Sequence, residues 1–178
     1  MKKILQKEAK ILRKEAKEIP VSKITTPKIK KILKDMSRVL ASQSDGVAIA
    51  ASQIGYSLRI FIVSGKIFTK NFVKTSEKRD EEVDIVEEKK DMVFINPKIS
   101  KLSREKEWLP EGCLSVRPLY GKTWRSKKAT VTAYNENGKK FTRGASGLLA
   151  QIFQHETDHL DGILFIDHAK DIKTEEPK

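Results

Sequence analysis

The chain of 178 residues contains one cysteine, Cys113, so an internal disulfide framework is excluded and no oxidising compartment is implied. It has no apolar run approaching the roughly 18 residues that a membrane-crossing helix needs. The opening stretch, MKKILQKEAKILRKEAKEI, has no h-region, because charges interrupt every apolar run. Its acids, Glu8, Glu15 and Glu18, speak against an organellar transit peptide. A soluble, cytoplasmic protein with no membrane partner is therefore expected. Internal repeats and low-complexity tracts are also lacking. No aromatic residue interleaves with the N-terminal lysines, so neither a base-stacking platform there nor sequence-specific nucleic-acid binding is expected.

Charge is plentiful and unevenly placed. The formal net charge is +12. Residues 1–34 carry twelve basic and three acidic side chains, residues 101–143 eleven and four, and residues 144–178 three and seven. The first two regions suit a polyanion such as RNA, although lysine-rich stretches more often serve as solvated faces. The length is that of one domain, able to hide roughly 70% of its unfolded surface.

Periodicity predicts a helix over residues 3–19, with Leu5, Ala9, Leu12, Ala16 and Ile19 on one stripe and Pro20 as its end. Thr26-Pro27 opens a second helix, with Ile29, Ile32, Leu33, Met36, Val39 and Leu40 on one face through about Gln43. Leu58 to Val63 reads as a buried strand, and Met92 to Ile95 as another, stopped by Asn96-Pro97. Residues 64–91 are dense in charge and read as an exposed insertion. A hairpin is expected around Asn135 to Gly138. A last helix starts at Ser146 and runs to about Leu160, closed by Gly162, with residues 169–178 as a short tail. Strands mixed with two or three helices indicate an α+β fold.

Chemistry concentrates in that last helix. His155 and His159, at i and i+4, share one helical face and can reach one metal ion. Glu156 stands beside the first of them, where a carboxylate reaches a water at the metal. A catalytic site of this kind needs a third protein ligand and an open position. His168 and Cys113 both qualify, and spacing alone does not choose between them. A third segment, Gly46 to Gly55, is rich in small residues that permit close approach, with Gln53 as its amide donor.

Together these segments resemble the three motifs of the peptide deformylase family, in the right order. Gly46 to Gln53 matches the first, Glu111-Gly112-Cys113-Leu114-Ser115 the second in full, and Gln154-His155-Glu156-Thr157-Asp158-His159 the third in full. The similarity covers roughly residues 20–168. It implies an α+β fold of antiparallel sheets packed around the metal-bearing helix, here with an additional basic N-terminal helix over residues 1–19. It implies that Cys113, His155 and His159 hold one divalent metal ion, iron(II), with nickel, cobalt or zinc able to take the same place. It implies that Glu156 is the general acid/base, and that Gln53 and the backbone N–H of Leu114 stabilise the oxyanion. The implied reaction removes the N-formyl group from the terminal methionine of new polypeptides and releases formate. Gly46, Ala48, Ile49 and Ile152, with Leu114 and the stem of Gln151, are the expected walls for the methionine side chain. Asp158 and Glu111 are expected to orient a ligand histidine or a loop. Ala48 departs from the family pattern, which has a glycine there. The basic N-terminal helix is a candidate contact for the ribosome surface. Two other readings are a peptidase built on the same helical motif and a basic RNA-binding protein with a structural metal. The intact second motif counts against the former, and the retained Glu156 and Gln53 against the latter.

Overall fold

The computed structural model describes residues 2–69 and 90–175. Most of the charged insertion expected over 64–91 lies outside them. Two helices and eight strands are formed among the described residues. Helix α1 spans Pro27–Ala41. Strands β1 (Ala48–Ala50), β2 (Ile60–Val63) and β3 (Met92–Leu102) follow, then β4 (Lys106–Gly112) and β5 (Leu119–Ser126). Strands β6 (Lys128–Tyr134) and β7 (Lys140–Ser146) form the expected hairpin. Helix α2 (Gly147–Leu160) comes next, and β8 (Lys170–Thr174) ends the described chain. One antiparallel sheet has the order β1-β2-β3-β6-β7 and the other β4-β5-β8. The α+β expectation holds.

Period-two alternation explains how the larger sheet is covered on both faces. In β2, Ile60 and Ile62 join the cluster under α1, with Met36, Leu40, Ile49 and Ile54. Phe61 and Val63 join the cluster under α2, with Phe94 and Phe153. Phe61 stacks on Phe94 at 4.6 Å between ring centroids, and Phe94 meets Phe153 at 5.2 Å. Helix α2 is therefore buried between the sheets, with Ile152, Phe153, Gln154, Glu156 and His159 all enclosed. Gln154 pins it in place: its carboxamide accepts from Ser126 N (2.9 Å) and donates to Ser126 O (2.9 Å), as a neighbouring strand would.

The helix expected over residues 3–19 does not form. A single-turn 3-10 helix spans Lys10–Arg13, and the remainder is an extended strap. Two causes are visible. Lys3, Lys7, Lys10, Lys14 and Lys17 would sit at three- and four-residue spacings on a helix, where like charges repel. The apolar residues also serve separate cores: Ile19 packs under α1, Ala16 under α2, and Leu12 with Val116, Leu164 and Phe165. The strap's backbone bonds outward, through Leu5 N to Gln53 O (2.8 Å), Ala16 N to Leu160 O (2.8 Å) and Arg59 N to Lys17 O (2.8 Å). Asn96 both accepts from Ile19 N (2.8 Å) and donates to Ile19 O (2.7 Å).

Three smaller differences have physical reasons. Strand β3 does not stop at Asn96-Pro97 but runs on to Leu102. Asn96 takes φ 49, a left-handed conformation that asparagine tolerates, and Pro97 sits in the resulting register shift, where ladder pairing is interrupted. Thr26 precedes α1 as expected, but its hydroxyl donates to Lys23 O rather than capping the helix. Residues 170–174, read as tail, pair with β5 as an edge strand.

Candidate active site

Cys113 follows the end of β4, and Leu114 and Ser115 lead toward β5. The Cys113 Sγ lies 3.2 Å from His159 Nε2. One donor atom each from Cys113, His155 and His159 can be chosen so that all lie within 4.8 Å of one another. His168 is not in this group; its Nε2 lies 3.4 Å from Asp158 Oδ2. Of the two candidates left open by spacing, the structure groups Cys113 and not His168 with the two histidines.

A buried polar network stands behind the group. Glu111 Oε1 is 2.7 Å from His155 Nδ1, which leaves the histidine's Nε2 for the pocket. Arg125 donates to both oxygens of Glu111, at 2.7 and 3.1 Å, and its other nitrogen reaches Asp158 at 2.7 Å. Thr123 Oγ1 and Gln151 Nε2 also donate to Glu111, at 2.7 and 3.2 Å. A carboxylate this enclosed survives as an anion only because it is so fully paired. Burial pushes its pKa up, but the hydrogen bonds and charges of His155 and Arg125 outweigh that and hold it well below the usual carboxylate range. Asp158 thus anchors Arg125, Arg125 anchors Glu111, and Glu111 orients His155.

The electrostatics invite one positive charge. Burial lowers the pKa of His155, but hydrogen bonding and charge from Cys113 and Glu111 override it and hold it well above the ordinary value. His159 is driven well below the ordinary value by burial and by the charge of His155. A thiol and two imidazoles with a carboxylate behind them are a donor set that fits a divalent transition metal. Glu156 completes the picture. It is buried, its Oε2 has no hydrogen-bond partner, and burial foremost, with the charges of Glu111 and Asp158, raises its pKa to about 7.

Gln53 is held by its own backbone neighbourhood. Its Oε1 accepts from Ala50 N (2.8 Å), so its NH2 must face the site, where it donates to Ser115 Oγ (3.0 Å) and lies 3.7 Å from Cys113 Sγ. No acceptor meets the Leu114 N–H among the described residues.

A cavity of about 260 Å³ opens beside these groups. Gly46, Ala48, Leu114, Gln151 and Ile152 line it, as expected, together with Gln53, Cys113, His155 and Glu156. Ile49 does not. Alternation along β1 turns it to the other face of the sheet, into the cluster under α1. Val47, Tyr120, Arg117 and Leu148 line the cavity and were not foreseen. Leu148 was legible, since 148, 151, 152, 155 and 156 recur on one helical face. Tyr120 was not, because it reaches the wall through pairing of Gly112 with Tyr120 across β4 and β5.

Comparison with known proteins agrees with this geometry. The model of the polypeptide deformylase family matches residues 1–175. Peptide deformylase 2 of Clostridium acetobutylicum is 40% identical over 167 residues, covering 94% of each chain. The structure of a class I type b peptide deformylase from Acinetobacter baumannii bound to Met-Ala-Ser is similar at a TM-score of 0.77 and 26% identity, over 94% of this chain and 98% of that one. A peptide deformylase from Synechococcus elongatus in complex with actinonin matches at a TM-score of 0.75 and 29% identity, over 96% and 79%. The chain belongs to the polypeptide deformylase family, metal-dependent hydrolases that remove the N-formyl group from nascent polypeptides.

Proposed function

We propose that Cys113, His155 and His159 hold one divalent metal ion, iron(II) in the native protein, with nickel, cobalt and zinc able to occupy the same ligands. When bound, such an ion supplies Lewis acidity toward the formyl oxygen and makes water at its open position more acidic. Glu156 takes the proton of the attacking water and delivers it to the departing amine nitrogen as formate leaves. Gln53 Nε2 and the Leu114 N–H donate to the formyl oxygen as it gains negative charge. Ala48, Leu114, Leu148 and Ile152 enclose the methionine side chain. The Met-Ala-Ser peptide bound by the Acinetobacter baumannii protein supports a methionyl peptide as occupant of the same cavity.

The observation that carries this reading is the Glu156 carboxylate: buried, unpartnered at Oε2 and in the cavity wall beside three convergent donor atoms. A purely structural metal site has no use for such a group. The retained Glu156 also fits hydrolysis rather than polyanion binding. The methyl of Ala48 narrows the wall where the family has glycine, so Ala48→Gly is expected to lower KM for formyl-methionyl peptides.

The cytoplasm, where chains are made, is the proposed location. Contact with the ribosome surface is proposed through the exposed lysines of the N-terminal strap, not through a helix. Charge reversal at Lys3, Lys7 and Lys10 tests this; ribosome co-sedimentation unchanged in that variant contradicts it.

The ligand set and metal are tested by anaerobic reconstitution with iron(II), nickel or zinc, reading metal content and formate release. Iron(II) is expected to give high turnover that air abolishes, since iron and the Cys113 thiolate are both oxidisable. Cys113→Ser is expected to lose metal. A zinc form as active as the iron form contradicts the assignment of iron, and a Cys113→Ser protein that keeps its metal contradicts the ligand set.

A further inference from the structure

Strands β4 and β5 have two faces with different contents. The inward face carries Glu111, Thr123 and Arg125, the buried network behind His155. The outward face carries Lys106 and Trp108 on β4 and Lys122 and Trp124 on β5, all exposed. Trp108 pairs directly with Trp124 in the register, with ring centroids 5.3 Å apart. These are the chain's only tryptophans, and they are 40% and 48% exposed. From β8, Lys170 places its Nζ 4.6 Å from the centre of the Trp108 ring. Asp171 is the acid facing this group, 3.4 Å from Lys122 Nζ, and both partners are exposed. Lys106, Lys122 and Lys170 thus surround two part-exposed indole rings, with Asp171 as the acid in contact with them.

Part-exposed indoles flanked by lysines suit a single-stranded nucleic acid: bases stack on the rings and phosphates meet the ammonium groups. A duplex hides its base faces and cannot use the rings. We propose that the outward face of the β4-β5-β8 sheet, centred on Trp108 and Trp124, binds single-stranded RNA without strict sequence preference. The surface is separate from the catalytic cavity, so RNA binding does not rest on the assignment of the catalytic residues.

The tryptophans report on this surface alone, which makes the experiment direct. Metal-loaded full-length protein is titrated with a mixed-sequence single-stranded RNA of 12 nucleotides, following tryptophan emission, and with the duplex of the same length. Saturable quenching by the single strand is expected, with weaker binding of the duplex. Three lysines imply that log affinity falls against log salt with a slope of about −2. Trp124→Ala is expected to weaken binding by about tenfold or more, with Trp124→Phe retaining most of it. Lys106→Glu is expected to weaken binding while leaving formate release and melting temperature unchanged, and it decides the matter if Trp124→Ala does not fold. Emission unaffected by the single strand, equal affinity for the duplex, or affinity unchanged in Lys106→Glu would each overturn the proposal. Those results would leave the tryptophans as a cross-strand pair serving the hairpin, or as a site for a protein partner.

Discussion

At the scale of single residues, the site is governed by what burial does to two neighbouring carboxylates. Glu111 is enclosed and fully paired, and stays an anion; Glu156 is enclosed and unpaired, and holds its proton up to about pH 7. For Glu156 the folded value lies above the ordinary carboxylate value of 4.5, so the folded state binds more protons than the unfolded state between about pH 4.5 and 7. Stability of the metal-free protein therefore falls as pH rises through that window, by on the order of 3 kcal/mol from this group. Glu156→Gln should remove that slope, so that the difference between the two proteins in urea titrations grows from pH 5 to pH 8. A constant difference across that range contradicts the account. Glu111→Gln should lower metal affinity by about 10- to 100-fold, because His155 loses its anionic partner. Competition against a chelator measures it.

At the scale of elements, the strap and strand β3 show where sequence patterns mislead. The apolar stripe over residues 3–19 is a good helical pattern, but pattern is blind to tertiary hydrogen bonds. Extended, the same residues satisfy their backbone against neighbours and reach three cores. Asn96 secures this arrangement, so Asn96→Ala should cost about 3 kcal/mol through two lost buried hydrogen bonds and an alanine at positive φ. Denaturant titration measures that cost, and the metal site should be unaffected. Gly162 secures the other side. It has φ +75, and a Cβ there would lie 2.8 Å from the Arg13 carbonyl carbon. Gly162→Ala should destabilise by about 2 kcal/mol or more and should expose the strap near Arg13 to limited proteolysis. By contrast α1, the β6-β7 hairpin and α2 were all legible, because each has an apolar period and a turn or cap signal of its own.

At the scale of the whole molecule, the site was more legible than the fold around it. Residues of α2 announce themselves, since helical spacing fixes their mutual geometry. Cys113 joins the proposed ligand set only through resemblance, and the structure explains why spacing is silent: β4 brings Cys113 to α2 from 42 residues away in sequence. Arg125 went unforeseen for the same reason, being tied to Glu111 across two strands and to Asp158 on the helix. Ile49, expected in the cavity wall, lies in the cluster under α1 instead, because nothing in the sequence of a three-residue strand says which face meets the cavity. The fold's contribution is to hold α2 between two sheets, so that Cys113, His155, His159, Gln53 and Glu156 converge beside one cavity.

The most direct test of that convergence is formate release from formyl-Met-Ala-Ser by the metal-loaded protein, with a Glu156→Ala variant of equal metal content beside it. Turnover by the parent and at least a thousandfold less by the variant is the expected result. A fully metallated parent without turnover, or a variant that keeps the parent's rate, would contradict the account.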